Sequence, residues 1–451
     1  MIRHIVLNML EGSIQKKMVL FALPIFLGML LQQLYNIVDS VVVGNVLGKE
    51  ALAAVTSSGS LIFLMMGFVN GLFMGASVII GNRYGAKDHN AVHIAVHTAV
   101  AFGLLSGLLL TVVGIVFSPM ILRLMGTPEN VLPNSVLYFR IIFAGGLGNV
   151  MYNTCCGVFT AMGDSKRPLY YLIISSIINT ILDLLFVAVL GLGVGGAALA
   201  TIIAQTLSAA LAFIKLTMVE GPHKVVLKDI KIDMPTLKQE LSIGIPNGIQ
   251  NSVIAIANVI VQSNINAFGD VAMAGSGSYF KLEGFAFLPI TSFCQAITTF
   301  TSQNVGANQI PRARRGARFG VVSGVLLAEV IGVCFFLFAP LMLRIFIDDP
   351  EVISFGTRQA HIESLFYFAL AYTHCMASIL RGVGKTKVPM YVMLACWCVI
   401  RITYITITVH FIPDIRVVYC AYPLTWSLSS IIFTIYYIRS KVFNDTELQT
   451  A

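Results

Sequence analysis

Long apolar stretches fill this chain and are broken only by short polar turns. A helix that crosses a bilayer needs roughly 20 such residues. Twelve stretches meet that length, near 18–40, 56–80, 92–117, 133–156, 168–190, 194–217, 240–266, 283–302, 318–340, 358–380, 388–411 and 416–438. A spanning β-barrel would show segments of about ten residues in strict alternation, and none occur. In lipid a helix satisfies its own backbone polar groups, so the pattern predicts an all-α polytopic membrane protein with 12 transmembrane helices. Composition agrees: 57% of the 451 residues are hydrophobic and only 11% are charged, whereas soluble domains carry about a quarter charged residues. Residues Met1–Lys17 lack a short apolar core ending at a small-residue cleavage site, so the first stretch reads as a retained span.

Basic residues near span ends stay cytoplasmic. Alternate loops differ sharply in this respect. One face collects 21 Lys and Arg, including Lys16, Lys17, Arg83, Lys166, Arg167, Lys228, Arg312, Arg315, Arg381 and Arg439. The other collects seven, Lys49, Arg123, Arg140, Lys281, Arg344, Arg358 and Arg416, leaving Arg401 inside a span. Both termini are therefore expected in the cytoplasm, with the chain multi-pass in the plasma membrane, the inner one if the cell is Gram-negative. The same asymmetry accounts for the net charge of +8 and gives no reason to propose nucleic acid as a partner.

The chain repeats itself. A shift of 221 residues brings Gly85-Ala86 onto Gly306-Ala307, Phe117-Ser-Pro119 onto Phe338-Ala-Pro340, and Gly163-Asp-Ser-Lys-Arg-Pro168 onto Gly384-Lys-Thr-Lys-Val-Pro389. Pro24 meets Pro246 with one residue of slip. Six spans per copy is an even number, so both copies enter the membrane in the same sense and are expected to form two pseudo-twofold-related six-helix bundles around a central cleft. The expected division is a cytoplasmic segment 1–17, an amino-terminal lobe 18–217, a linker 218–239, a carboxy-terminal lobe 240–438 and a cytoplasmic tail 439–451.

Ionisable groups inside spans cost about 2.5–3.5 kcal/mol each, so each asks for a partner or a task. In the first span Gln32, Tyr35, Asn36 and Asp39 share one helical face. In the fifth, Asn179 and Asp183 are one turn apart, as are Thr201 and Gln205 in the sixth. Buried carboxylates of this kind suit a proton carrier, and oxygen-rich surroundings suit Na⁺ equally; a hydrogen-bond network that only fixes helix packing is the structural alternative. The second copy differs, with Asn247, Asn251, Asn258 and Gln262 along the seventh span and scattered charges at Glu283, Glu329, Glu363 and Arg401. Paired buried carboxylates are thus expected only in the first copy. Glu283 reads equally as an interfacial residue or a cleft residue, and Glu329 as a helix-pairing group with Arg401 as its candidate partner. The eight cysteines lack ligand spacing and read as apolar filler. His89, His93 and His97 share a face that a metal would suit, but they enter from a cytoplasmic loop and read as a solvated helix end; no metal site and no cofactor is assigned.

These residues resemble the multidrug and toxic compound extrusion (MATE) transporters along nearly the whole chain. The resemblance is carried by the Gly81-Asn-Arg-Tyr-Gly-Ala86 turn, its duplicate Gln303-Asn-Val-Gly-Ala307, the Gly163–Pro168 loop, and the runs Leu34-Tyr-Asn-Ile-Val-Asp39 and Asn179-Thr-Ile-Leu-Asp183, which look like the DinF-type branch. The resemblance implies a cation-coupling site at Asp39, Asn179, Asp183 and Thr201, with Tyr35, Asn36 and Gln205 in support, and a first-helix hinge at Pro24. The other major bacterial branch has acids in helices seven and ten; this chain has none in seven, and Glu363 is a loose match in ten.

The function expected is that of a secondary multidrug efflux antiporter. It would exchange H⁺ or Na⁺ for amphipathic, often cationic, organic compounds, working as a monomer in the lipid bilayer. Candidate cleft residues are Gln32, Asn258, Gln262 and Glu283. Rival readings are a lipid-linked oligosaccharide flippase, which would present more basic residues than Arg401 to its cavity, and a non-transporting membrane scaffold. An enzyme is not expected: no phosphate-binding G-x-x-x-x-G-K-[ST] loop is present.

Overall fold

The computed structural model describes residues 7–47, 49–124, 127, 129 and 131–443, with side chains for all of these except 40–61, 63 and 64. Arg3, the side chain of Lys49, residues 1–6 of the cytoplasmic segment and residues 444–451 of the tail lie outside the described residues.

Among the described residues twelve helical rods overlap the twelve predicted spans. They are α1 (Ile14–Leu47), α2 (Lys49–Gly85), α3 (His89–Leu124), α4 (Leu132–Ala144 and Gly146–Ala161), α5 (Lys166–Asp183 and Leu184–Val189) and α6 (Gly193–Met218). The second six are α7 (Met234–Asn266), α8 (Asp270–Gly306), α9 (Ile310–Leu343), α10 (Pro350–Glu363, Ser364–Phe366 and Tyr367–Gly382), α11 (Lys387–Met393, Leu394–Ile400 and Arg401–Phe411) and α12 (Ile415–Ser440). No strand occurs among the described residues. Among the described residues nine rods are long and apolar enough to cross a membrane, and the bent α4 makes ten. The remaining two, α8 and α10, fall short for a physical reason. They turn Ser276, Tyr279, Glu283, Gln359, Glu363 and Thr373 into the protein interior, so polar residues replace the apolar ones that would signal a span.

The chain divides into two compact units, one of Met1–Asn8 with Leu23–Gly248 and one of Met9–Ala22 with Ile249–Ala451. Two helices therefore change unit along their length. Helix α1 does so between Ala22 and Leu23, beside Pro24, and α7 does so between Gly248 and Ile249, just past Pro246. These prolines are partners in the repeat, and each removes one i→i−4 hydrogen bond from its helix.

Within the first unit, α2 and the start of α7 touch backbone to backbone. A Cβ on Gly71 would overlap the backbone of Gly248, and one on Gly75 would overlap the Glu240 carbonyl and come within 2.6 Å of Gly244 N. Small residues in register let membrane helices approach this closely. Helix α4 bends by 45° at its break, where a Cβ on Gly145 would stand 2.5 Å from Ile202 Cγ2. The segment after α6 is docked on α3. Val226 N–H donates to His97 Nε2 (2.9 Å), Asp233 N–H donates to Thr98 Oγ1 (3.2 Å), and Val225 is buried in the α3, α4 and α6 core. Helices α5 and α11 each widen into a π turn, over Leu184–Val189 directly after Asp183 and over Leu394–Ile400 directly before Arg401. Such widened turns are often found where a helix places functional side chains.

Candidate functional site

The i, i+4 spacing of Asn179 and Asp183 puts both on the inner face of α5, where they are 2% and 0% exposed. With its amide in the orientation that satisfies both neighbours, Asn179 donates from Nδ2 to Asp183 Oδ2 (2.9 Å) and accepts at Oδ1 from Thr201 N–H (3.2 Å). Thr201 of α6 donates its hydroxyl to Ala197 O (3.0 Å), and its side chain also meets the Tyr35 hydroxyl of α1. One turn beyond Tyr35, Asp39 is also buried, and its charge reaches Asp183. Three helices thus converge through side chains that the sequence singles out.

The oxygens left over matter most. Oδ1 of Asp39 and Oδ1 of Asp183 are both buried without a hydrogen-bond partner. Among the described residues no Lys, Arg or His forms an ion pair with either acid. A buried carboxylate that keeps one oxygen without a donor and meets no counter-charge is costly unless it holds a proton or a cation. Tyr138 of α4 completes the surroundings, buried and close enough to interact with Asp39, Asp183 and Tyr35. Sequence reading missed it, although a tyrosine hydroxyl inside an apolar span was a signal.

The supporting residues are placed less tightly. Gln205 is half-buried and accepts from Asn149 Nδ2 (3.3 Å), which in turn accepts from Asn153 (3.1 Å). Asn36, Gln32 and Asn258 are exposed, and Gln262 donates to Asn266 Oδ1 (2.8 Å).

The second unit corrects the expectation that only the first copy buries paired acids. Glu283 and Glu363 are 8% and 0% exposed, and Arg401 is 2% exposed. Tyr367 donates to Glu283 Oε1 (3.3 Å) and shares a 2.9 Å hydroxyl contact with Tyr279. Gln359 donates to Glu363 Oε1 (2.9 Å). Arg401 donates from Nε and Nη2 to Thr425 Oγ1 (3.1 and 2.8 Å) and lies over the rings of Tyr422 (4.4 Å) and Trp397 (5.4 Å). Its charge acts on both glutamates. Burial excludes the interfacial reading of Glu283. The expected pairing of Glu329 with Arg401 is not formed; Glu329 Oε2 instead accepts from Phe368 N–H (3.2 Å), where α10 restarts after its tight turn. These three charges lie in three different spans, and no spacing rule along one helix links them.

His93, His97 and Asp229 come within 4.8 Å of one another, whereas His89 stays exposed. The geometry is that of a docking clamp: His97 Nδ1 donates to His93 O (2.7 Å) and His97 Nε2 is taken by Val226 N–H, so a metal would have to displace a backbone bond. The cysteines are free thiols, five of them buried.

Comparison with known proteins agrees with the two-copy architecture. The MatE family matches residues 24–185 and again residues 246–407, one segment in each copy. The chain is 29% identical over 435 residues to the probable multidrug resistance protein YoeA of Bacillus subtilis, covering 95% of this chain and 94% of that one. It is 30% identical over 396 residues to the probable multidrug resistance protein YpnP of the same organism, covering 87% of each. Among solved structures, a MOP-superfamily transporter from Pyrococcus furiosus superposes with a TM-score of 0.91 at 21% identity over 98% of this chain and 99% of that one. An outward-facing multidrug resistance MATE transporter gives 0.90 at 22% over 99% of each. A fold shared from end to end, and a family match that recurs in both halves at the predicted repeat, make this chain a member of the MatE family of multidrug efflux transporters.

Proposed function

We propose that the protein is a secondary antiporter of the DinF-like branch that exports amphipathic, often cationic, organic compounds in exchange for H⁺ or Na⁺. The observation that carries this reading is the pair Asp39 and Asp183, two buried carboxylates with one unpartnered oxygen each and, among the described residues, no ion-paired cation. A mobile cation is the group that such a pair lacks. Asn179 and Thr201 orient Asp183, and Tyr35 ties α1 to α6, so loading the site changes the charge holding three helices together. One positive charge moving inward releases about 2.3 kcal/mol per 100 mV, enough to drive a useful outward gradient of substrate. Pro24, where α1 changes unit, is the proposed hinge. The relatives named for multidrug resistance support the substrate class, and Tyr, Phe and Met side chains would hold flat cations by stacking and cation–π contact. The protein acts as a monomer in the plasma membrane with both termini cytoplasmic.

Purified protein in proteoliposomes, loaded with a fluorescent cationic dye and energised separately by ΔpH and by ΔNa⁺, tests this directly. Efflux should follow one of the two gradients, and Asp39→Asn and Asp183→Asn should each abolish the gradient-driven component while the variants still insert. Undiminished driven efflux by both variants would sink the reading.

A further inference from the structure

We propose that Glu240, at the start of α7, is a proton-release group through which the first unit delivers its proton to the cytoplasm. This rests on the H⁺ form of the antiport reading and adds a third carboxylate to it. From sequence the linker ends at 239 and helix seven is expected to hold no acid, which the structure corrects. Glu240 lies inside α7, 2% exposed, and neither of its carboxylate oxygens meets a hydrogen-bond donor.

The surroundings make that burial specific. Gly75 and Gly244 bring α2 and α7 into backbone contact at this level, and Gly71 and Gly248 do so one turn deeper, so the two backbones approach too closely for a side chain to stand between them at these positions. Arg83 of α2 is the cation whose charge acts on Glu240. Arg83 does not bond to it. The guanidinium donates instead to Ala91 O (3.0 Å), Thr236 Oγ1 (3.2 Å) and Gln239 Oε1 (2.8 Å). Asp233, before α7, and Asp88, in the turn after α2, also act on Arg83 and compete for its charge.

A carboxylate so enclosed, with no donor, is held as the neutral acid. The situation reverses if α2 and α7 part at their cytoplasmic ends. Water then reaches the carboxyl group, its O–H proton passes to water, and Arg83 is free to neutralise the carboxylate that remains. Closing the helices again expels water and favours re-protonation, by a proton that has come through the Asp39 and Asp183 site. The packing of α2 on α7 thereby decides when the proton leaves.

Net and exchange transport separate this role from a structural one. Glu240→Gln keeps the shape and the neutral state of the side chain but has no proton to release. In proteoliposomes it should retain substrate exchange at equal concentrations while net ΔpH-driven efflux falls roughly tenfold or more, with a flattened pH profile; Glu240→Asp should restore part of the net rate. Net efflux and a pH profile equal to the parent protein, or an equal loss of exchange and net transport, would overturn the proposal. If the parent protein does not respond to ΔpH at all, the H⁺ reading and this inference fall together. If it responds and Glu240→Gln matches it, this inference alone falls.

Discussion

Replacing Arg401 offers the sharpest check on the charge accounting of the second unit. The guanidinium is 2% exposed, donates twice to Thr425 Oγ1, and is the cation acting on Glu283 and Glu363, themselves 8% and 0% exposed. Arg401→Met keeps much of the volume between Tyr422 and Trp397 and removes the charge. The glutamates then lie uncompensated in a buried site, a situation that costs about 3–5 kcal/mol. For a unit of this size 1 kcal/mol moves the melting midpoint by roughly 2–4 °C, so the variant should melt about 6–20 °C below the parent. The assay is thermal unfolding of detergent-purified protein at a fixed scan rate, because unfolding of membrane proteins is seldom reversible. Neutralising the acids as well, in Glu283→Gln/Glu363→Gln/Arg401→Met, should recover most of the loss, since a buried charged triad replaced by neutral groups is often no less stable. A single variant that melts with the parent, or a triple variant no better than the single, would refute the assignment of Arg401 as the counter-charge.

Two further expectations concern stability. His223, in the segment after α6 that docks on α3, is 6% exposed, and burial, assisted by the charge of Arg167, pushes its imidazole down to about 4 from an ordinary 6.5. The unfolded chain therefore binds the extra proton between those values, so stability present above pH 6.5 is lost as pH falls toward 4, by about 3 kcal/mol in the limit; melting curves of His223→Gln should lose this part of the acid sensitivity, and an unchanged pH dependence would contradict it. Gly75→Ala places a Cβ against the backbone of α7 and should destabilise by about 1–3 kcal/mol. Gly277→Ala in α8, where a Cβ meets nothing within 4 Å, is the control and should be neutral or slightly stabilising; equal melting of the two variants would show that α2 and α7 do not pack as described.

Much of this molecule is written in local order. Apolar length determines the helices, because a chain in lipid has no other way to satisfy its backbone while crossing. Spacing of 3.6 residues per turn determines that Asn179 and Asp183, or Tyr35 and Asp39, share a face, and the 221-residue repeat determines where the two family segments lie. All of these are properties of one helix or of chain order. What faces what across helices is not. Only the tertiary structure decided that Thr201 meets Asn179 and Tyr35, that Tyr138 joins them, and that Glu283, Glu363 and Arg401 gather from three spans into one buried cluster. It also decided that Glu240 is buried at a close helix contact. The physical reason is common to these cases: a charged side chain in a membrane protein owes its tolerance to partners on other helices, and those partners are set by packing, which no single-helix period encodes.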